Sequence, residues 1–531
     1  MNKLLSSVII FIVLFLLTIP FEGICAWDND KPIEKITSDT IYITNNVLVG
    51  AGDSLVFNEG SVVLFTSHFM IEVKGRIVAR GSAQSPILFT IDDTTGFTNP
   101  QFPRGAWNGF HFTETPADSD SSIFTYCNFS YTKALGDSLD KFGGVFNLRS
   151  FSKIRIEHCG FYNNYAWHWG GAIFGEHADI QLENCLFEHN SCGQAGPPYG
   201  YGGAICFRNS SPIIHECSFI ENKSTGIGGG ASFEYANAEV NGNLFLGNKS
   251  GLGGALGYMR SEPINPLVNN VFVQNGSVFF GEAIACIRSN PVFLHNSIVD
   301  NENDSFGGVF YCNDSACPTV INSILYNDSA PLGYEVYLWD NISLPMFTNC
   351  DIRGGKDAFG GTGSEGYAAA YNSNIDTMPE LVNSGQYYGL ITEASPCIDA
   401  GSIDFNLPGY PSTDFRGYAR ILGQAPDMGA FEYKSDLGID EMANTNKMVC
   451  YPNPFSDFVT ITLPESKNTE HLIQIFTISG QKIYEQTLPP GTKEFLWKGI
   501  DSGGNPVKKG VYLVKYFWQE KKYEAIILRG I

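Results

Sequence analysis

The sequence predicts an all-β chain, in which a long parallel β-helix is followed by a small C-terminal β-sandwich. Three observations carry this. A motif of Cys or Asn, any residue, then Phe or Ile recurs at Cys127, Cys159, Cys185, Cys217, Asn243, Asn270, Asn296, Asn322 and Cys350. A glycine motif (GGVF, GGAI, GGAI, GGAS, GGAL, GEAI, GGVF) falls between these copies at Gly143, Gly170, Gly202, Gly229, Gly253, Gly281 and Gly307. Near Ser435 both the charge and the pattern change.

The repeat sets the architecture of the larger body. Its intervals are 32, 26, 32, 26, 27, 26, 26 and 28 residues. Most copies place Asn three positions beyond the aromatic or Ile: Asn164, Asn190, Asn222, Asn248, Asn275, Asn301 and Asn327. A period of this length built from short β-branched and aromatic pieces means a solenoid whose units bury their apolar faces only by stacking. No 3.6-residue apolar stripe supports helices, and the Leu frame of a leucine-rich repeat is absent. In-register stacking then sets Phe on Phe and Asn on Asn about 4.8 Å apart, with Asn suited to sharp corners. Residues 41–112 alternate in period two with turn residues every eight to ten positions, so rungs are expected before the clear repeats.

Charge and targeting divide the 531 residues further. The chain holds 33 Lys+Arg against 55 Asp+Glu, a net charge of −22. From residue 435 onward there are 11 acidic and 11 basic residues, so the whole excess lies between residues 27 and 434. Such a body offers nothing to neutralise a phosphate backbone, which excludes a nucleic-acid binder. Residues 1–26 read as a signal peptide, with Lys3, an apolar run from Val8 to Ile19 and a small residue at Ala26. Ile24 before Cys25 argues against a lipoprotein. No later segment reaches the length of a membrane span, so the mature chain is expected to be exported without one. Residues 434–447 have linker composition, leaving 448–531 as a body of alternating strands and Gly-rich hairpin turns.

The alternation of residues 41–112 resembles the first coils of right-handed parallel β-helix proteins, and the GGAI and FxxN motifs resemble the polymorphic outer-membrane-protein type of repeat. The fold implied for 27–394 is a single-stranded right-handed parallel β-helix. SPCIDAGSIDFNLPGY and DFRGYARILGQAPDMGAFEY, within 395–433, resemble the choice-of-anchor segment of bacterial surface proteins, and a C-terminal cap is expected there. The last body is similar to the type A C-terminal sorting domain of the type IX secretion system, on YPNPF (Pro452, Asn453, Pro454), the SGQ turn (Gly480) and GVYLVK (Gly510, Tyr512). That resemblance implies the type IX machinery as a partner, passage across the outer membrane, removal of the domain, and a product attached to the surface or released.

Chemistry is harder to find. HExxH, P-loop, GxSxG and paired CxxC motifs are absent. His158, His168, His177 and His189 share no repeat column, so no metal is expected. The Cys127–Cys217 ladder reads as stacked small apolar side chains, with disulfide pairing left open. Two long gaps before a Gly-Gly, residues 131–142 and 191–201, fall on one edge, beside YAWHW at 165–169. Solenoid insertions gather on a binding face. Trp167 and Tyr199, three before their glycines, and Trp169 and Tyr201, one before, are therefore candidates for a glycan platform. They share parity with Ile173 and Ile205, so an unbroken strand buries them, whereas a corner before the glycines resets the parity and frees them. The expected function is a secreted or surface β-helix protein binding a glycan or another surface, without a cofactor. The alternative is a polysaccharide lyase or hydrolase, with Arg208, Arg260 and Arg288, beside Asp314, as lyase material and Ca²⁺ as its helper.

Overall fold

The computed structural model describes residues 40–531, apart from 137–138, 195, 198, 304–307, 328–334, 383–387, 404–408, 435–447, 452–457, 464–469, 478–481, 509, 519–520 and 530–531. The signal segment 1–26, linker residues 435–447, and Pro452, Asn453, Pro454 and Gly480 lie outside the described residues.

The chain from Thr40 to Asn372 winds into a parallel β-helix. Sheet I has 12 strands, from Thr40–Ile43 to Asp351–Ile352; sheet II has 11, from Val47–Val49 to Val336–Leu338; sheet III has 12, from Ser54–Phe57 to Tyr371–Asn372. A fourth ladder of seven short strands, Lys133–Ala134 to Glu302–Asn303, runs between sheets I and II. Every pair within these sheets is parallel, and the Phe column predicted from the repeat is in register: Phe129↔Phe161, Phe161↔Phe187, Phe187↔Phe219, Phe219↔Phe245. The rings of Phe161, Phe187, Phe219, Phe245 and Phe272 stack at 4.6–4.9 Å with planes within 7°. All are buried, and their stack forms the spine of the core.

Two corner columns hold the rungs together. Between sheet I and the fourth ladder, Thr132 Oγ1 donates to Asn164 Oδ1, and the Nδ2 groups of Asn164, Asn190, Asn222, Asn248, Asn275 and Asn301 each donate to the next Asn at 2.9–3.0 Å. The ladder ends where Asn327 Nδ2 donates to the Glu335 carboxylate at 2.7 Å. Each Oδ1 also accepts the backbone N–H of the rung before, as Asn222 does from Asn190. From Asn164 to Asn301 the left-handed residue is the one preceding the ladder Asn (Asn163, His189, Glu221, Gly247, Gln274, Asp300), so Asn serves as the buttress and its neighbour makes the bend.

The second column, between sheets III and I, explains why Cys and Asn share one repeat position. Cys159, Cys185 and Cys217 donate their thiols to the carbonyls of Glu157, Glu183 and His215 at 3.2–3.3 Å. Asn243 and Asn270 take over with amides that bond rung to rung at 3.0 Å. None of these described cysteines is bridged. One repeat copy shifts by a residue: Asn322 occupies the left-handed corner, Ser323 joins the column, and Ile298 pairs with Leu325. Ile324, expected in the Phe column, faces outward.

That outward Ile324 meets the segment expected as a cap. The end of the helix is instead closed by residues 353–375, where Phe359, Tyr367 and Tyr371 pack beneath Phe347. The described residues of 395–433 fold back along the flank of sheet I as a strap. Cys397, Met428, Ala430 and Phe431 cover Val271, Val273, Val299 and Ile324. Buried Arg420 bonds Asn269 Oδ1 at 3.1 Å and pairs with Glu432 at 3.0 Å, and the imidazole of His295 lies 2.9 Å from the Tyr410 hydroxyl. A cap is corrected to a strap because the outward residues of these late rungs are apolar, and water must be kept from them.

Residues 448–531 form two antiparallel sheets of three and four strands around their own core of Val459, Ile461, Ile473, Trp497, Val514 and Tyr516.

Replacing Asn222 by Leu strips an acceptor from two buried donors of Asn190. A loss of about 2–4 kcal/mol is expected, read as new protease cleavage confined to neighbouring rungs; unchanged resistance there contradicts the buttress role. Asp351, buried where the last rung meets the strap, accepts from Thr377 N at 3.1 Å and the Cys397 thiol at 3.3 Å. Burial pushes its carboxyl up to about 6. The unfolded chain loses this proton near pH 4 and the folded one near pH 6, so stability falls across that window by up to about 3 kcal/mol. Chemical denaturation from pH 4 to 6.5 should show this slope in the parent and a flatter one in Asp351→Asn.

Candidate functional site

The glycines decide which way the aromatic candidates face. Gly143, Gly170, Gly202, Gly228, Gly253 and Gly281 all have φ between 62° and 70°. An added Cβ at Gly170 or Gly202 would meet a carbonyl oxygen of the following strand at 2.1 or 1.9 Å, so only Gly fits these turns. This left-handed corner breaks the strand and resets its parity. Ile173 and Ile205 point into the core, while the residue before each glycine turns outward and lies over the outer face of sheet II. A shelf results: Phe142, Trp169, Tyr201, Ile227, Leu252 and Phe280 follow one another down the helix. Its steps are joined by backbone contacts, as from Gly170 N to Tyr201 O at 2.9 Å and in the bridges Tyr201↔Ile227 and Ile227↔Leu252.

At the upper end the shelf is aromatic. Trp169 and Tyr201 stack with centroids 5.2 Å apart and planes 14° apart. Phe142 meets Trp169 edge-on at 5.6 Å and lies 4.7 Å from Phe174, which rises from sheet II. All four are half-buried or, for Phe174, buried from beneath, so the stack is supported and one side is wet. Burial lowers the proton affinity of His168, whose ring packs 5.2 Å from Phe142.

Beside the stack runs a ladder of paired charges. Arg149, Glu176, Arg208 and Glu234 occupy one register position on successive strands of sheet II. Arg149 pairs with Glu176, Arg208 lies 3.7 Å from Glu176 and 3.3 Å from Glu234, and Arg260 reaches Glu234 at 3.3 Å. The guanidinium of Arg208 also sits 5.7 Å from the Trp169 ring centroid. Arg260 and Arg288 belong to the next position, on left-handed corners, where Arg288 pairs with Asp314 at 2.9 Å. The three arginines of the lyase reading are thus spread over two columns, and each is engaged by carboxylates.

The sequence candidates separate accordingly. Trp169 and Tyr201 come together. Trp167 stands apart with Lys141 5.9 Å from its ring, and Tyr199, 48 % exposed, lies on the 193–200 loop. Phe142 and Phe174 were missed, although Phe142 precedes its glycine as Trp169 and Tyr201 do. A third insertion on this edge, residues 92–106, was also missed. It wraps the buried Lys133 ammonium, which donates to the carbonyls of Gly96, Asn99, Phe102 and Arg104 at 2.9–3.2 Å. Among the described residues no group of three or more His, Cys, Asp or Glu is placed to hold a metal ion.

Comparison with known proteins agrees with the architecture. Residues 117–272 match the right-handed beta helix region, and residues 449–528 match the secretion system C-terminal sorting domain. The chain thus carries a right-handed β-helix region and a C-terminal sorting domain of the type IX secretion kind. It is therefore exported, to the cell surface or beyond. No helix among the described residues is long and apolar enough to cross a membrane. Metabotropic glutamate receptor-like protein R of Dictyostelium discoideum is 27 % identical over 252 residues, 42 % of this chain but only 15 % of that protein. PorZ, a surface component of the type-IX secretion system of Porphyromonas gingivalis, is 22 % identical over 20 % of this chain and 14 % of its own; at a TM-score of 0.14 the likeness carries no argument. Deleting residues 448–531 from the β-helix protein is expected to leave the solenoid folded and held in the periplasm, because its core is separate from that of the sorting domain. Cell fractionation checks this, and normal extracellular levels of the truncated chain contradict it.

Proposed function

We propose that this exported β-helix protein is a non-catalytic glycan binder that seats pyranose rings on the Trp169–Tyr201 shelf. The observation that carries the reading is the near-parallel stack of these two rings outside the solenoid wall, each ring holding the other in place. A sugar's apolar face needs a flat, rigid aromatic surface, and its hydroxyls need donors and acceptors at the rim. Arg149, Glu176 and Arg208 supply both at the edge of the stack, held in place by their own pairing. Because those charges are mutually compensated within a body that carries the whole −22, a neutral or weakly charged glycan suits the face better than a polyanion.

An array of neutral and uronate-containing polysaccharides, assayed for retention and for release of reducing or unsaturated ends, tests this. Retention without product is expected; product formation replaces the reading with the lyase or hydrolase. Trp169→Ala and Tyr201→Ala should each weaken retention by about 1–3 kcal/mol, by analogy with base stacking on aromatic side chains. Their half-buried rings should shift the melting temperature by only a few degrees. Undiminished retention in both variants removes the shelf from consideration.

A further inference from the structure

The outer face of sheet II carries a second aromatic group that neither the repeat motif nor the domain matches assign. Phe280, the last described residue of the shelf, stacks on Tyr311 at 5.3 Å with planes 14° apart, lies 4.7 Å from Tyr337, and meets Trp339 at 5.4 Å and 67°. Tyr311 and Tyr337 occupy successive positions of the same outward column that holds Phe174 at the upper end. Trp339 and the neighbouring Phe279 are 49 % and 51 % exposed. From Trp169 to Phe280 is four rungs, roughly 19 Å at the strand spacing of ~4.8 Å. Ile227 and Leu252 bridge that distance on the same shelf. Small outward residues beneath them, Cys206, Ser232, Gly257 and Ala285, let the shelf lie close to the wall; Gly257 is needed because an added Cβ would come 2.2 Å from Ile227.

We infer that the two aromatic groups are the ends of one extended site for a linear neutral polysaccharide, whose chain runs parallel to the solenoid axis over the Ile227–Leu252 bridge. This rests on the glycan-binding reading of the upper stack and adds to it the class of ligand and the direction of its chain. The solenoid fixes the separation of the two groups, so a chain already held at one meets the other at a high effective concentration. The ion-pair ladder beside the upper shelf keeps that edge polar while its charges are taken up internally, which favours uncharged hydroxyls over a charged protein surface or a polyanion.

The test uses the full mature chain and size-graded cello-, xylo- and manno-oligosaccharides, from the disaccharide to the parent polysaccharide, in titration calorimetry. Affinity should rise with length, by at least about tenfold from the shortest binding oligomer to the longest. Phe280→Ala and Trp339→Ala should abolish that rise while leaving binding of the shortest oligomer unchanged. Trp169→Ala should weaken both. Equal affinity for short and long chains, or a length dependence untouched by Trp339→Ala, overturns the extended site while sparing the upper stack. Absence of binding by any of these neutral series, with retention of uronate polymers or of a protein instead, overturns both the ligand class and the axial path. Circular dichroism on each variant, with Trp339→Phe as the conservative replacement expected to restore the rise, separates lost contact from lost fold.

Discussion

Everything in this molecule depends on parallel rungs stacking without slipping, and the buried Asn164–Asn327 ladder enforces that. A parallel strand pair slipped by one residue sends its core side chains to solvent. Apolar contacts resist this weakly, because a Phe column tolerates small displacements at modest cost. A side-chain amide buried beside the next one does not: each Asn has one donor aimed at the following rung and one acceptor filled by the preceding rung, and an error strands several polar groups away from water. The ladder closes on Thr132 at one end and Glu335 at the other, so its last amide is also satisfied.

The corners that this register permits then create the aromatic shelf. Since each left-handed glycine sits at an equivalent place, whatever precedes it is delivered to the same shelf. The solenoid therefore converts a sequence column into a surface column, and a few aromatic substitutions in that column become neighbouring rings. The ion-pair ladder of Arg149, Glu176, Arg208 and Glu234 arises in the same way, from one outward position read down successive strands. The effect of these pairs is to hold guanidinium and carboxylate groups at the rim of the aromatic shelf.

The strap occupies another flank of the solenoid. Its buried Arg420 is surrounded by Glu432, Asn269 and the Gly429 carbonyl, and His295 and Asn322 reach out from successive rungs to meet it. The charge-rich strap thus covers the apolar outer face of late sheet I and leaves the sheet II face open. The sorting domain is a body with its own core, separate from that of the solenoid.

Most of the fold was legible in the sequence, because stacking makes it a one-dimensional problem: the Phe spine, the Asn column and the early rungs follow from period and pattern, the C-terminal β-sandwich follows from strand alternation between Gly-rich turns, and its sorting role came from resemblance. The misreadings have local causes. Ser323 in place of Asn322 shows that a small hydroxyl fills the corner column as well as an amide does, which a motif search passes over. The strap was expected as a cap because sequence order puts it after the last rung, whereas the apolar outward residues Val271, Val299 and Ile324 draw it back along the flank. At the site, residue types alone left Trp169 and Tyr201 undecided between core and surface. Only the positive φ of Gly170 and Gly202 decided it, since a break in strand parity is a backbone event with no side-chain signature. Nor could the sequence join Phe280 to Tyr311, Tyr337 and Trp339, which lie 31 to 59 positions farther along: they meet because the rungs stack them, and the length of each loop between decides on which face they emerge.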